Sequence, residues 1–191
     1  EDTERVIGER RMATLRDLGS DATSLRTETD VYLAASRHLA ANPQSFPFTL
    51  VYAFDEDSEV ARLRGVTGFS GPHPAAPAVI DPAAPDPVWP ADAPAAGHAV
   101  LIDDLAERWV DLPAGVWSDP PTSALVVPLP QQGAGRPYGF LVAGLNRYRP
   151  LDSNYRAFID LVAGHIAAAI ASARAYETER LRAEQLAELD A

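Results

Sequence analysis

The sequence predicts an α+β domain built on a central antiparallel sheet of five or six strands, and three observations carry that expectation. An apolar run at 48–54 is followed by Asp55, Glu56, Asp57 and Ser58, which supply turn chemistry, and then by a second run at 59–67, the pattern of an antiparallel hairpin. The order of elements is helices, two strands, an irregular insert, three strands and a long helix, so helices are segregated from strands. The third observation is the C-terminal stretch 152–190, which has no proline and a single glycine, Gly164. It predicts one uninterrupted helix of about 39 residues, roughly 58 Å long. A compact core of about 120 residues is only about 35 Å across, so this helix overshoots the domain it starts from.

Residues 1–18 are charged, with Val6, Ile7, Met12, Leu15 and Leu18 at loosely helical spacing, and predict an amphipathic N-terminal helix stopped by Gly19. A second helix is expected over 27–41, with Val31, Leu33, Ala34, Ala35, Leu39 and Ala40 as apolar content and Asn42 and Pro43 as terminator. Its expected role is packing on the sheet. The run 48–54 alternates aromatic or aliphatic residues with Thr49, Val51 and Ala53, which suits a strand buried on both faces. Between Pro72 and Pro94 lie eight of the seventeen prolines, a density that denies regular structure over most of the segment. A loop of that length in a compact domain points to a lid or binding loop.

Regular structure resumes with a short strand at 99–102, then Asp103 or Asp104 as the N-cap of a brief helix reaching Val110. A second proline-bounded loop, 112–121, leads to a strand at 123–129, a turn at 131–135 and a central strand at 136–145. No internal repeat is visible.

The composition removes several function classes. A net charge of -11 opposes a nucleic-acid surface, because phosphate binding needs clustered basic side chains. The absence of cysteine rules out a thiol nucleophile, a disulfide, a thiolate metal site and a thioether-linked chromophore. No glycine-rich phosphate loop or nucleophile motif is present, and the acidic pairs Asp103–Asp104 and Asp55–Asp57 sit where caps and turns need carboxylates. No catalytic residue is assigned. No apolar run of bilayer-spanning length is apparent and no signal-peptide pattern opens the chain, so this piece is expected to be cytoplasmic, with no membrane contact of its own.

The run from Arg136 through Tyr138, Gly139 and Phe140 to Asn146, then Arg149 to Asp152, Tyr155 to Phe158, Leu161 to Ile170 and Ala173 to Glu177, resembles a GAF domain. It is similar in particular to the GAF sensor modules of bacterial multi-domain histidine kinases. The closing stretch 179–190 resembles the linker that leads, in those kinases, to the dimerisation and phosphoacceptor helices. The resemblance implies terminal helices on one face of the sheet and a ligand pocket on the other, roofed by the irregular segments. It implies three parts: an N-terminal linker helix at 1–20, a GAF domain at 21–176, and a signalling helix at 177–191 leading to an output domain. GAF-type methionine sulfoxide reductases and bilin-attaching phytochromes both depend on cysteine, so neither chemistry is expected, and no cofactor is assigned.

Trp89, Trp109 and Trp117 all fall in segments expected to roof the pocket, where they either line a cavity or fill it. His73 and His98 flank the proline-rich insert and are candidate ligand contacts. His38 and His165 lie on helices without the spacing of metal ligands, and neither a metal nor haem is expected. Asn146, Arg147, Tyr148, Asp152 and Ser153 form a degenerate echo of the cyclic-nucleotide GAF pattern. The structural reading is that Asp152 caps the long helix with Arg147 paired to it.

These residues point to a non-enzymatic sensory or regulatory domain of a sensor histidine kinase. It would bind an unidentified small molecule and transmit the signal through the C-terminal helix to a downstream output domain, as a homodimer through its terminal helices. Two alternatives stand beside it: a dimerisation or scaffold module with a filled pocket, and the sensor of a phosphatase or transcription regulator.

Overall fold

The computed structural model describes residues 3–21, 24–133 and 135–190. Residues 1–2 of the expected first helix, residue 134 of the expected turn at 131–135 and residue 191 of the C-terminal segment lie outside the described residues.

Helix α1 spans Glu4–Asp21, so Gly19 does not stop it. A glycine inside a helix costs about 1 kcal/mol, but Leu15 and Leu18 are drawn into the core shared with the C-terminal helix, and that burial outweighs local propensity. A Cβ on Gly19 would lie 3.5 Å from Cε1 of His165, so α1 runs close beside the C-terminal helix at this point. Helix α2 (Glu28–Ala40) starts at Thr27, whose hydroxyl accepts from Asp30 N at 3.1 Å. Val31, Tyr32, Ala34, Ala35 and Leu39 are buried at helical spacing, while Leu33 faces solvent.

The sheet has six antiparallel strands: β1 (Thr49–Phe54), β2 (Ala61–Thr67), β3 (Val79–Ile80), β4 (Val100–Ile102), β5 (Ala124–Leu129) and β6 (Gly139–Gly144). Their order is β3-β2-β1-β6-β5-β4, which puts β1 and β6 in the centre, each buried along its whole length. Gly139 is what lets β6 close on β1: a Cβ there would overlap the Tyr52 carbonyl oxygen. The register jumps from Val51 opposite Gly65 to Tyr52 opposite Leu63, leaving Arg64 bulged, with its guanidinium 4.8 Å from the centre of the Tyr32 ring.

Alternation along the strands sends odd and even residues to separate cores. Val51, Ala53, Leu125, Val127, Leu141 and Ala143 pack with residues of α1, α2 and the C-terminal helix. Leu50, Tyr52, Phe54, Ala124, Val126, Phe140 and Val142 pack under the irregular segments. The proline-rich insert is not wholly irregular, since it contributes β3 on the sheet edge and a one-turn helix, α3 (Asp92–Ala95).

The brief helix after β4 is α4 (Leu105–Arg108) and stops short of Val110. Asp104 stands at its N-cap without a side-chain capping bond, because its carboxylate pairs with Arg108 at 3.1 Å instead. Helix α5 runs unbroken over Ser153–Asp190, 38 residues. It is long and apolar enough over part of its length to cross a membrane, an apolar run longer than the sequence reading allowed, but half of that stretch is buried inside the domain as a core helix. From Thr178 to Asp190 every residue is exposed, a protrusion of roughly 20 Å.

Candidate functional site

Under the proline-rich segments, where a ligand pocket is implied, side chains occupy the interior. Trp89 is fully buried, its ring centre 6.4 Å from that of Phe48 and 5.4 Å from that of Trp109 with the planes tilted, and its indole N–H donated to Ala75 O at 2.7 Å. Of the two readings open for Trp89, the structure has it filling the interior rather than lining a cavity. Trp109 is half-buried and covers Trp89 from outside. Tyr52 and Phe140 stack at 5.2 Å beneath them, and the Tyr52 hydroxyl donates to Pro77 O at 2.8 Å. Burial without a charged neighbour pushes the Tyr52 phenol well above its ordinary range.

His73 fastens this cover rather than opening into it. Its Nδ1 accepts from Ala75 N at 2.9 Å, which leaves the proton on Nε2, and Nε2 lies 2.9 Å from Oδ1 of Asp111. His98 is exposed at the surface after α3. His38 and His165 both border a narrow crevice between α1, α2 and α5. Among the described residues no three His, Asp or Glu side chains converge as a metal site requires.

Trp117 stands apart from that interior. It lines a pocket of about 470 Å³ with Ile7, Arg10 and Arg11 of α1, Gln44 and Ser45 before β1, Asn146, Tyr148 and Arg149 after β6, and Tyr155 of α5. Its indole N–H donates to Gln44 O at 3.2 Å and its ring leans on Tyr148, 5.5 Å between centres.

A chain of buried polar groups lies beside this pocket. Thr14 donates to Arg10 O, Asn42 Nδ2 donates to Thr14 Oγ1 at 3.1 Å, and Ser45 N donates to Asn42 Oδ1 at 3.2 Å. The Tyr155 hydroxyl then donates to Ser45 O and accepts from Asn146 N at 3.1 Å. Thr14, Asn42, Ser45 and Asn146 are four of the six buried polar residues described, so buried polarity is concentrated here. Desolvation pushes the Tyr155 phenol up to about 12, against the opposing pull of the Asn146 N–H and Arg11.

The helix start behind the pocket is capped as carboxylate chemistry suggests: Asp152 Oδ1 accepts from Tyr155 N at 2.8 Å. Arg147 does not pair with Asp152. It reaches instead to Pro120 O at 3.2 Å and tethers the loop that carries Trp117. Sequence reasoning missed Arg10, Arg11, Arg149, Ser45 and Tyr155 as neighbours. The adjacent arginines at 10 and 11, in a strongly acidic chain, were the signal available.

A family model described as GAF domain matches residues 25–171. Among solved structures, the free methionine-R-sulfoxide reductase from Neisseria meningitidis superposes with a TM-score of 0.62 at 19% identity, covering 91% of this chain and 95% of that one. The GAF domain of an Acinetobacter phosphoenolpyruvate-protein phosphotransferase gives 0.58 at 14% identity, over 91% and 97% of the two chains. The chromophore-binding domain of a bacteriophytochrome from R. palustris gives 0.58 at 13%, over 90% and 63%. No curated protein matches the sequence.

Proposed function

The chain belongs to the GAF domain family, and from that premise we propose that it is the sensory and regulatory module of a larger cytoplasmic signalling protein, a sensor histidine kinase, with no catalysis of its own. The observation that carries this reading is the division of α5. Its first twenty residues supply Phe158, Ile159, Val162, Ile166 and Ile170 to the core, while its last turns, beyond Glu177, are exposed at every residue. A helix rooted in a core and continuing past it transmits displacement of that core to whatever it joins. A kinase output is proposed because the stretch 179–190 resembles the linker before phosphoacceptor helices.

In this reading residues 1–20 form the linker helix, 21–176 the sensory domain and 177–191 the transmitter. A small molecule biases two arrangements of α1 and α5, a coupling that typically amounts to about 1–3 kcal/mol. Leu181, Leu186 and Leu189 are 48%, 63% and 81% exposed, an apolar set that a second copy of the chain would cover in a homodimer. Sedimentation velocity at high micromolar concentration tests this: dimers are expected, and Leu186→Glu should shift them to monomer while moving the domain's stability by less than about 0.5 kcal/mol. A protein that stays monomeric throughout contradicts the dimeric transmitter.

The filled interior around Trp89 favours a second reading, a constitutive dimerisation and spacing module. A metabolite that stabilises the domain on binding excludes that alternative.

A further inference from the structure

We infer that the pocket beneath α1 is a binding site for a small organic anion, a carboxylate or phosphate carried on a flat apolar body. This deepens the sensory reading and rests on it for what binding signals, though not for binding itself. The site lies on the helix face, away from the filled interior under the proline-rich cover.

Charge is the first support. Among the described residues the lining contains Arg10, Arg11 and Arg149 and no acidic residue, in a chain where Asp and Glu outnumber basic residues 27 to 16. All sixteen basic residues are arginine, whose planar fork matches carboxylate and phosphate oxygens in pairs. At the rim, Glu4 pairs with Arg149 at 3.0 Å, and Asp119 accepts from the Tyr148 hydroxyl at 2.9 Å.

The second support is an orphaned donor. Arg11 Nε is buried and has no hydrogen-bond partner among the described residues. Its guanidinium is held 4.6 Å from the Tyr155 ring centre and 5.6 Å from that of Phe158, so its position is set by packing before any ligand arrives. A buried charged donor left unsatisfied is costly, and an anionic acceptor relieves that cost.

Shape and rigidity are the third. About 470 Å³ falls within the usual size of small-molecule sites, and Trp117 with Tyr148 supplies one aromatic wall. The hydrogen-bonded chain from Thr14 to Asn146 fixes the floor, and it already joins α1 to the start of α5. An anion held by Arg11 therefore sits where the N-terminal helix meets the root of α5.

The test is calorimetric titration of the intact protein with phenyl phosphate, benzoate, inorganic phosphate and phenol, paired with NMR of the tryptophan indole N–H groups. One of the two aromatic anions should bind saturably with a dissociation constant below about 1 mM, and which one binds assigns phosphate or carboxylate. Binding should shift the Trp117 indole and leave that of buried Trp89 in place. Arg11→Gln should weaken binding by about tenfold or more, and Arg10→Gln gives the same reading if the first variant fails to fold.

Saturable binding by neither aromatic anion overturns the site, as does phenol binding as tightly as phenyl phosphate. Inorganic phosphate matching phenyl phosphate overturns the aromatic part of the ligand class. A shift confined to Trp89 places the ligand on the other face and overturns the assignment. Each failure leaves the dimeric transmitter reading to its own sedimentation test.

Discussion

On one face of the sheet, Val51, Leu125, Leu141 and their neighbours pack under α2 and α5, helices whose interior backbone groups bond within themselves. On the other, Leu50, Tyr52, Val126 and Phe140 pack under chain that is rich in proline and short of backbone donors. There the carbonyls are served by side chains: Trp89 bonds Ala75 O, Tyr52 bonds Pro77 O, and Arg108 bonds Val88 O. A helical layer derives its order from many equivalent residues, whereas an irregular layer depends on a few large ones that both fill space and donate a bond.

That contrast predicts unequal consequences of equal truncations. Trp89→Ala should cost about 3–5 kcal/mol and, by also orphaning Ala75 O, should exceed Phe158→Ala on the helix face, where Phe46 stacks at 5.4 Å and can partly follow the void. Urea denaturation midpoints measure both. Equal losses would mean that the irregular cover is as redundant as the helices.

The buried phenols give the next effect. Tyr155 and Tyr32 on the helix face have folded values pushed up to about 12, mainly by burial, and Tyr52 on the other face is pushed higher still. A folded value above the unfolded one means that the native state holds the proton longer. Stability is then complete below about pH 10 and is lost as pH rises toward the folded value, by about 2–3 kcal/mol for Tyr155. Phenolate absorbance followed beside unfolding free energy checks this, and Tyr155→Phe should flatten the slope.

At neutral pH, Tyr155→Phe orphans two buried groups, Asn146 N and Ser45 O, and should cost about 2 kcal/mol, against about 1 kcal/mol for Tyr52→Phe, which orphans Pro77 O alone. Thermal unfolding of the two variants ranks them, and the reverse order would move the critical polar contact to the proline-rich face. The smallest effect belongs to Arg174, which joins α5 to Glu28 of α2 at 2.6 Å with both side chains partly exposed. Arg174→Gln should lower stability by about 1 kcal/mol or less, read as a small shift in the same melts.

The helix face was largely legible in the sequence. Val31, Ala34, Ala35 and Leu39 mark α2 by spacing, and the proline-free stretch after Asp152 marks α5 over nearly its full length. The proline-rich face was legible only as a region. Nothing in the string distinguishes Trp89, which fills the interior, from Trp117, which lines a separate pocket with α1, because the distinction depends on what each loop packs against. Gly19 misled for a related reason: its local tendency to end a helix yields to the burial of Leu18 against α5.

The pocket was the least legible part. Arg11, Asn42, Ser45, Asn146 and Tyr155 come from four stretches of chain, and no local pattern relates them.

The sequence by itself determined the periodic elements, the antiparallel sheet and the unbroken C-terminal helix, because apolar periodicity and proline placement act within a few residues. Only the tertiary structure decided which face is filled and which keeps a charged pocket. That outcome depends on long-range packing, where the volume of Trp89 and the unpartnered Nε of Arg11 acquire meaning from residues far away in the chain.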